Sequence, residues 1–516
     1  MIKIGDILDG RISTSTSGAA YLVNQDLPKD IYISKNNTNK ALHLDTIKIR
    51  VIQGNGNGRS IEGEVIEIVE RFRTEFVGVI QLSEKYAFFV PDSNRIPVDF
   101  FIPLNKINGA LDGQKVVAKL TDWKEDAKNP NGKIVRVIGY AGEHETEIHA
   151  IMEDFNLSYD FPEDVLAEAS AISTEITKEE IEKRRDLRHI TTCGIDPYDS
   201  RDADDTIGLE WVNGEAIVSV NIADVSFYVK PTSAIDDEAY LRGTSFYFPD
   251  RCVSMLPEKL SNDICSLKSG SDKLCFSAIF RMDKRGKIIE RWFGRTIINV
   301  NKDYSYEEAQ DVIENGLRDE FKETDQIILE LNKIAKNLRK ERIKHGVLFL
   351  DKPEIKFILD ENKKPIDIVF KTSKESNKLI EELMLLANRE VAKFIKSKGS
   401  VCINRVHEPP TDEKLENLKT FISQFGYDIK ISNPDEIKSS LNKLLKQCKG
   451  TIEEDLITTL VIRTQQKAIY TTNNLPHFGL NFNDYTHFTS CIRRYSDLIT
   501  HRLLAKVLGN NGYPIK

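Results

Sequence analysis

Seven cysteines, five methionines and three tryptophans are all that 516 residues carry of these types. The cysteines, at 193, 252, 265, 275, 402, 448 and 491, form no CxxC pair and no zinc spacing, and their number is odd. That excludes a disulfide framework and a thiolate zinc site, and suits reduced, mostly buried thiols in a cytosolic protein. No apolar run approaches membrane-spanning length and no secretory leader is seen, so no membrane association is expected and the expected location is cytoplasmic. Positive charge is not in excess either: the formal net charge is −8. This weighs slightly against a nucleic-acid enzyme, because phosphate contacts need Lys and Arg. Net charge is a whole-surface quantity, however, and a basic channel can sit in an acidic protein. No low-complexity tract stands out, and no Ser, Cys or His nucleophile with an evident partner is visible.

What is present is a chain with 40% hydrophobic residues, too long for one ordinary domain. Residues 1 to 142 read as β-rich. Thr46 to Ile52 and Ile61 to Val69 alternate apolar and polar residues, with a Gly/Asn turn signal at Gly54 to Gly58 between them. Phe76 opens what reads as a second copy, so residues 1–70 and 71–142 are expected to form two small barrels of the OB or cold-shock type. Tyr86 and Phe88 share one strand face and could form a stacking platform for bases, with half-buried aromatic core as the plainer reading. Residues 143–187 read as a polar, helix-prone connector, in which Thr177 to Glu180 is a capping box starting a helix from Lys178 to Arg185. Residues 188–516 read as a large α/β domain, with helices at Glu307 to Arg342, Asn377 to Lys396 and Leu456 to Tyr470.

The stretch Asp196 to Asp205 places five carboxylates in ten residues. Carboxylates this close repel one another, and some must stay protonated unless a counter-charge arrives. An acidic surface loop is the plain explanation. The apolar flanks, Gly194-Ile195 before and Thr206 to Leu209 after, point instead to a buried loop between strands. An EF-hand calcium loop fits poorly: counting back from Glu210 puts Arg201 and Ala203 at ligand positions and Asp204 where glycine is needed. Hard oxygen donors with no Cys or His nearby favour Mg²⁺, with Mn²⁺ also suited, over Zn²⁺. Mg²⁺ on a few carboxylates, with waters left over, is the usual apparatus for cutting phosphodiesters.

Further segments carry unusual residue choices: Ile222-Ala-Asp-Val-Ser226, Arg242 to Pro249, Met255 to Asn262, Leu379 to Met384 leading to Asn388, Arg405 to Pro410, and Tyr485 to Asp497 followed by His501-Arg502. In this order they resemble the ribonuclease II / ribonuclease R family of 3′→5′ exoribonucleases, the ribonuclease R branch more closely. The resemblance implies two cold-shock-type barrels followed by a large α/β catalytic domain of the RNB type. It implies that Asp196, Asp202 and Asp205 hold Mg²⁺ and that Asp204 is most tied to the chemical step. Arg493 matches the arginine at the scissile phosphate, where a guanidinium fork can stabilise charge on phosphoryl oxygens. Tyr247 and Phe349 match aromatics that clamp terminal bases, and Tyr306 and Glu382 match residues linked to ribose recognition. Asp199 falls outside the pattern. Single-stranded RNA is the implied partner, with no organic cofactor; monomer is the default expectation.

Two departures matter. A proline normally stands where Cys491 stands, and its loss should loosen the loop that aims Arg493 by about 1 kcal/mol; the thiol, if exposed, would also sense oxidants. Family members usually continue into a C-terminal S1 barrel, whereas this sequence stops at Lys516, which reads as a fragment. The expected activity is processive hydrolysis of single-stranded RNA from the 3′ end to nucleoside 5′-monophosphates. An RNA-binding protein without turnover is the alternative, and a DNA exonuclease a weaker one.

Overall fold

Period-two alternation in the first 140 residues becomes two five-stranded closed barrels. The first uses Ile7–Thr14, Ala20–Val23, Ile31–Ile33, Thr46–Gln53 and Glu62–Glu70; the second uses Glu75–Leu82, Ala87–Pro91, Phe100–Ile102, Gln114–Asp122 and Asn131–Tyr140. Inward-pointing residues, among them Ile12, Leu22 and Ile47 in the first and Phe76, Phe89 and Phe100 in the second, fill each interior. Each barrel closes through one parallel pairing, Tyr32 with Glu62 and Asn131 with Phe101. The first strand of each carries a glycine at its fourth position. A Cβ on Gly10 would lie 2.8 Å from the Val23 carbonyl oxygen, and one on Gly78 only 2.2 Å from that of Val90. Only glycine lets the backbones approach that closely at these bends.

This computed structural model describes residues 2–509 apart from 16–17, 25–26, 28–29, 55–60, 125, 284–285 and 351–352. Most of the Gly54 to Gly58 turn signal and all of the ending after Gly509 therefore lie outside the described residues. The chain divides into two compact units, 1–158 and 159–516. The connector read at 143–187 is split between them: helix His144–Asp154 buries Ala150 against Val77 and Val117 of the second barrel, whereas Glu163–Ala171 and Lys178–Glu182 belong to the larger unit. Thr177 caps the latter helix by accepting the Glu180 N–H at 3.3 Å. That helix stops at Glu182, short of the expected Arg185, because Arg185–Asp186 joins a sheet as an edge strand.

The larger unit is built on a seven-stranded mixed sheet. Its order is Arg185–Asp186, Ile288–Asn299, Asp272–Met282, Glu215–Ala223, Asp205–Val212, Thr192–Asp196 and Lys302–Ser305. Helices Lys322–Lys344, Glu375–Ser397 and Tyr495–Val507 contribute to its core. Two expected helices differ. Glu307 to Arg342 is two helices, Tyr306–Asn315 and Lys322–Lys344. The break follows from Gly316 at φ +92° and from buried Asp325, which accepts the Arg318 N–H at 2.9 Å. Leu456 to Tyr470 is helical only within Glu454–Thr464. Ile469–Thr471 instead pairs with Asn404–Val406, and the Arg405 guanidinium lies 4.6 Å above the Tyr470 ring. Strand pairing overrides helical periodicity there.

Candidate active site

Three neighbouring strands bring the acidic residues together. Asp196 ends the strand Thr192–Asp196, and Asp205 begins its antiparallel neighbour, in which Cys193 faces Ile207. The loop between them carries Asp202 and Asp204 and is pinned from below. Ala203 N–H donates to Ser266 Oγ at 3.1 Å, Leu267 N–H to the Ala203 carbonyl at 2.9 Å, and Ala223 N–H to the Asp204 carbonyl at 2.9 Å. On the other side Lys302–Ser305 runs parallel with Asp196 opposite Ser305, delivering Tyr306 at the start of a helix capped by Ser305 and Glu308. Asp196, Asp202, Asp204, Asp205, Tyr247, Tyr306 and Arg493 all line one cleft of about 430 Å³.

Crowding and burial act on these acids as expected of carboxylates short of counter-charge. Burial, then Asp202, raises Asp196 to about 6. Burial raises Asp204 to about 7 in spite of Arg493. Asp205 is raised by burial and then by Asp196 and Asp204. The Tyr247 hydroxyl donates to Asp202 Oδ2 at 2.5 Å, and burial together with that bond pushes the phenol well up. The donor set is all oxygen, and its raised proton affinity is the conflict a divalent cation relieves. Among the described residues no three His, Cys, Asp or Glu side chains converge as a ready-made metal cage.

The loop from Ser490 to Arg494 closes the cleft. Asp204 Oδ1 accepts the Ile492 N–H at 2.8 Å and Oδ2 faces Arg493 Nε at 3.0 Å. The Arg493 carbonyl accepts from Ser245 N–H at 3.0 Å and Thr244 Oγ1 at 2.8 Å. Asp497 Oδ1 accepts the Ser490 N–H and an Arg494 guanidinium N–H, both at 2.9 Å. These bonds, all made by the chain around Cys491, hold the loop without the family's proline. Cys491 itself is fully buried, and burial drives its thiol far up. An inert thiol follows, and the oxidant sensitivity considered from sequence does not.

Other expected residues are placed differently. Glu382 does not line the cleft. It is 3% exposed, and its carboxylate is bound by Arg342 at 2.5 Å. Its neighbour Glu381 faces the cleft instead. Phe349 lies outside the cleft lining, about a third exposed, with its N–H donating to Asn442 Oδ1 at 3.0 Å. Tyr86 and Phe88 belong to the second barrel, where Phe88 faces Phe101 across two strands and its ring lies 5.5 Å from that of Tyr86. Asp224, from the segment Ile222 to Ser226, is wholly buried between Arg184 at 2.9 Å and Arg295 at 3.1 Å, away from the cleft lining.

Sequence reasoning gave no role to Asn388, Tyr485 and His487, which complete the cleft wall. Asn388 Oδ1 accepts the Phe488 N–H at 2.7 Å, and the Tyr485 and His487 rings meet edge-on at 5.5 Å. Helical spacing was the available signal: Glu381, Met384, Leu385 and Asn388 share one face of Glu375–Ser397, and Glu382 does not.

Comparison with known proteins agrees with this architecture. The RNB domain family matches residues 184–510, the ribonuclease B OB domain residues 10–68 and the cold shock domain residues 88–162. Ribonuclease R of Thermotoga maritima is 36% identical over 99% of this chain and 72% of its own. The structure of Mycoplasma genitalium RNase R in complex with ribose methylated single-stranded RNA superposes with a TM-score of 0.88 at 27% identity, covering 96% of this chain and 79% of that one. Yeast Ssd1, a pseudonuclease, shares the fold with a TM-score of 0.79 at 20% identity, over 99% of this chain and 70% of its own. With the RNB domain matched over residues 184–510 and a ribonuclease R relative aligned over 99% of this chain, the chain belongs to the RNB-domain family of ribonucleases.

Proposed function

We propose that the chain is a divalent-metal-dependent exoribonuclease that shortens single-stranded RNA from its 3′ end and releases nucleoside 5′-monophosphates. The observation that carries this reading is the meeting of four aspartates with Arg493 in one cleft. A Mg²⁺ ion held by Asp196, Asp202 and Asp205 would supply charge at the phosphate and a water of lowered pKa. The chain's own groups do the rest. Arg493 presents its guanidinium to the phosphoryl oxygens as negative charge builds. Asp204 orients the water and takes its proton. Tyr247 and Tyr306 offer ring faces to the terminal nucleotide, which suits cleavage without sequence preference. Glu381 on the cleft wall is the carboxylate placed to accept a ribose 2′-OH hydrogen bond, the role first expected of Glu382.

The fold shared with a pseudonuclease is the observation behind a second reading, an RNA binder without turnover. A 5′-labelled single-stranded RNA oligomer followed on a sequencing gel separates the two. A ladder shrinking from the 3′ end with Mg²⁺ and arrested by EDTA supports the enzyme. Bound but uncut RNA under both conditions supports the binder, and equal shortening of matched DNA would overturn the RNA assignment.

A further inference from the structure

We propose that a second cavity behind the catalytic cleft binds the phosphate of the released nucleoside 5′-monophosphate, giving product a way out that the RNA does not occupy. This rests on the exonuclease reading above.

The cavity holds about 1140 Å³ and lies in the same unit as the cleft. Only one layer of side chains separates the two. Leu385 lines both spaces, Tyr485 lines the cleft and Phe482 lines the second cavity. The three pack as one small apolar cluster, with the Phe482 and Tyr485 rings 5.7 Å apart. Helix Glu375–Ser397 forms both walls, presenting Glu381, Met384 and Asn388 to the cleft and Glu382, Arg389 and Lys393 to the cavity.

Charge on one wall of the cavity favours an anion. Glu390 is 3% exposed, and its carboxylate is met by three cations: Arg291, Arg389 at 3.0 Å and Lys393 at 3.0 Å. One negative charge among three positive ones leaves an excess of cation on that wall. The cavity's other acids are also paired: Glu341 with Lys344, Asp435 with Lys438, Asp484 with Lys396, and Glu382 with Arg342, which Glu381 shares. The Arg389 guanidinium also lies 5.4 Å over the Phe482 ring, so a flat apolar face adjoins the excess charge. A phosphate dianion joined to a nucleobase matches both features. A strand threaded 3′-end first would occupy the cleft's mouth, and the second cavity offers the mononucleotide a separate site.

The test uses the Asp204→Asn chain saturated with an RNA oligomer, so that the cleft is filled, with titrated fluorescent adenosine 5′-monophosphate as the probe. One equivalent should bind, unlabelled adenosine should not compete, and Lys393→Ala or Arg389→Ala should weaken binding about tenfold, the loss of one charge-assisted contact. Lys393 is exposed enough that its removal does not threaten folding. Nucleotide that binds only the RNA-free chain, or equally well to both variants, overturns the proposal. The RNA-shortening assay on the unsubstituted chain keeps the two readings apart. No shortening defeats the exonuclease reading, whereas shortening without nucleotide binding to the RNA-filled chain defeats this inference alone.

Discussion

Arg493 Nε lies 3.0 Å from Asp204 Oδ2, so the guanidinium expected at the phosphate is tied to the carboxylate expected to act on water. The Ile492 N–H occupies the other oxygen of Asp204 at 2.8 Å. On the proposed mechanism, substrate phosphate competes with Asp204 for Arg493, and in doing so frees a carboxylate oxygen to accept a proton.

Replacing Asp204 with Asn retains the bond from Ile492 but removes the base. Turnover should drop about 10²–10³-fold, with RNA affinity changed less than about threefold, as for loss of an interaction made mainly in the transition state. Single-turnover cleavage and filter binding measure the two quantities. A matching fall in affinity would assign Asp204 to RNA binding instead.

The acidic cluster sets a pH dependence in the metal-free chain. The folded pKa values of Asp196 and Asp204, at about 6 and about 7, lie above an unfolded value of about 4. Groups raised in this way contribute stability that is fully present below about pH 4 and lost as pH rises through 6 to 7. In EDTA the melting temperature should therefore fall between pH 5.5 and pH 8. Mg²⁺ should restore it at pH 8 and do little at pH 5.5, where protons compete for the same oxygens. A melting temperature indifferent to Mg²⁺ at both pH values would remove the cluster as the metal site.

Asp224 behaves in the opposite sense. Burial alone would raise it, but Arg184 and Arg295 outweigh burial and hold it at about 2. Its contribution is present above about pH 4 and lost as pH falls through 2. Asp224→Asn leaves buried Arg184 with Glu180, at 2.7 Å, as its remaining carboxylate partner, and a cost of about 3 kcal/mol, the low end for breaking a buried pair, is expected. Urea midpoints at pH 7 measure it, and a loss below about 1 kcal/mol would mean that solvent reaches the pair.

The adjacent glutamates should separate by phenotype. Glu381→Ala should narrow the preference for RNA over matched DNA about tenfold, one hydrogen bond to a 2′-OH, with little change in melting temperature. Glu382→Ala should leave that preference intact and destabilise by about 1–3 kcal/mol, because Arg342 loses its buried partner. The reverse assignment would restore Glu382 as the sugar-reading residue.

Much of this protein was legible in the residues themselves. Alternation in the first 140 residues determined two small barrels, because a strand's side chains repeat every second residue regardless of what lies far away. The spacing of Asp196, Asp202, Asp204 and Asp205 likewise forced a local electrostatic conflict, since the loop is too short to let the charges separate. Tertiary structure alone decided the rest. Helix propensity from Glu307 to Arg342 gave way to Gly316 and the grip of Asp325 on Arg318. The choice between Glu381 and Glu382 depended on helix rotation, as adjacent residues point about 100° apart and only packing selects which faces the cleft. The contact between Arg493 and Asp204 spans 289 positions. No local pattern encodes it, because it exists only once the sheet and the loop from Ser490 to Arg494 have folded against each other.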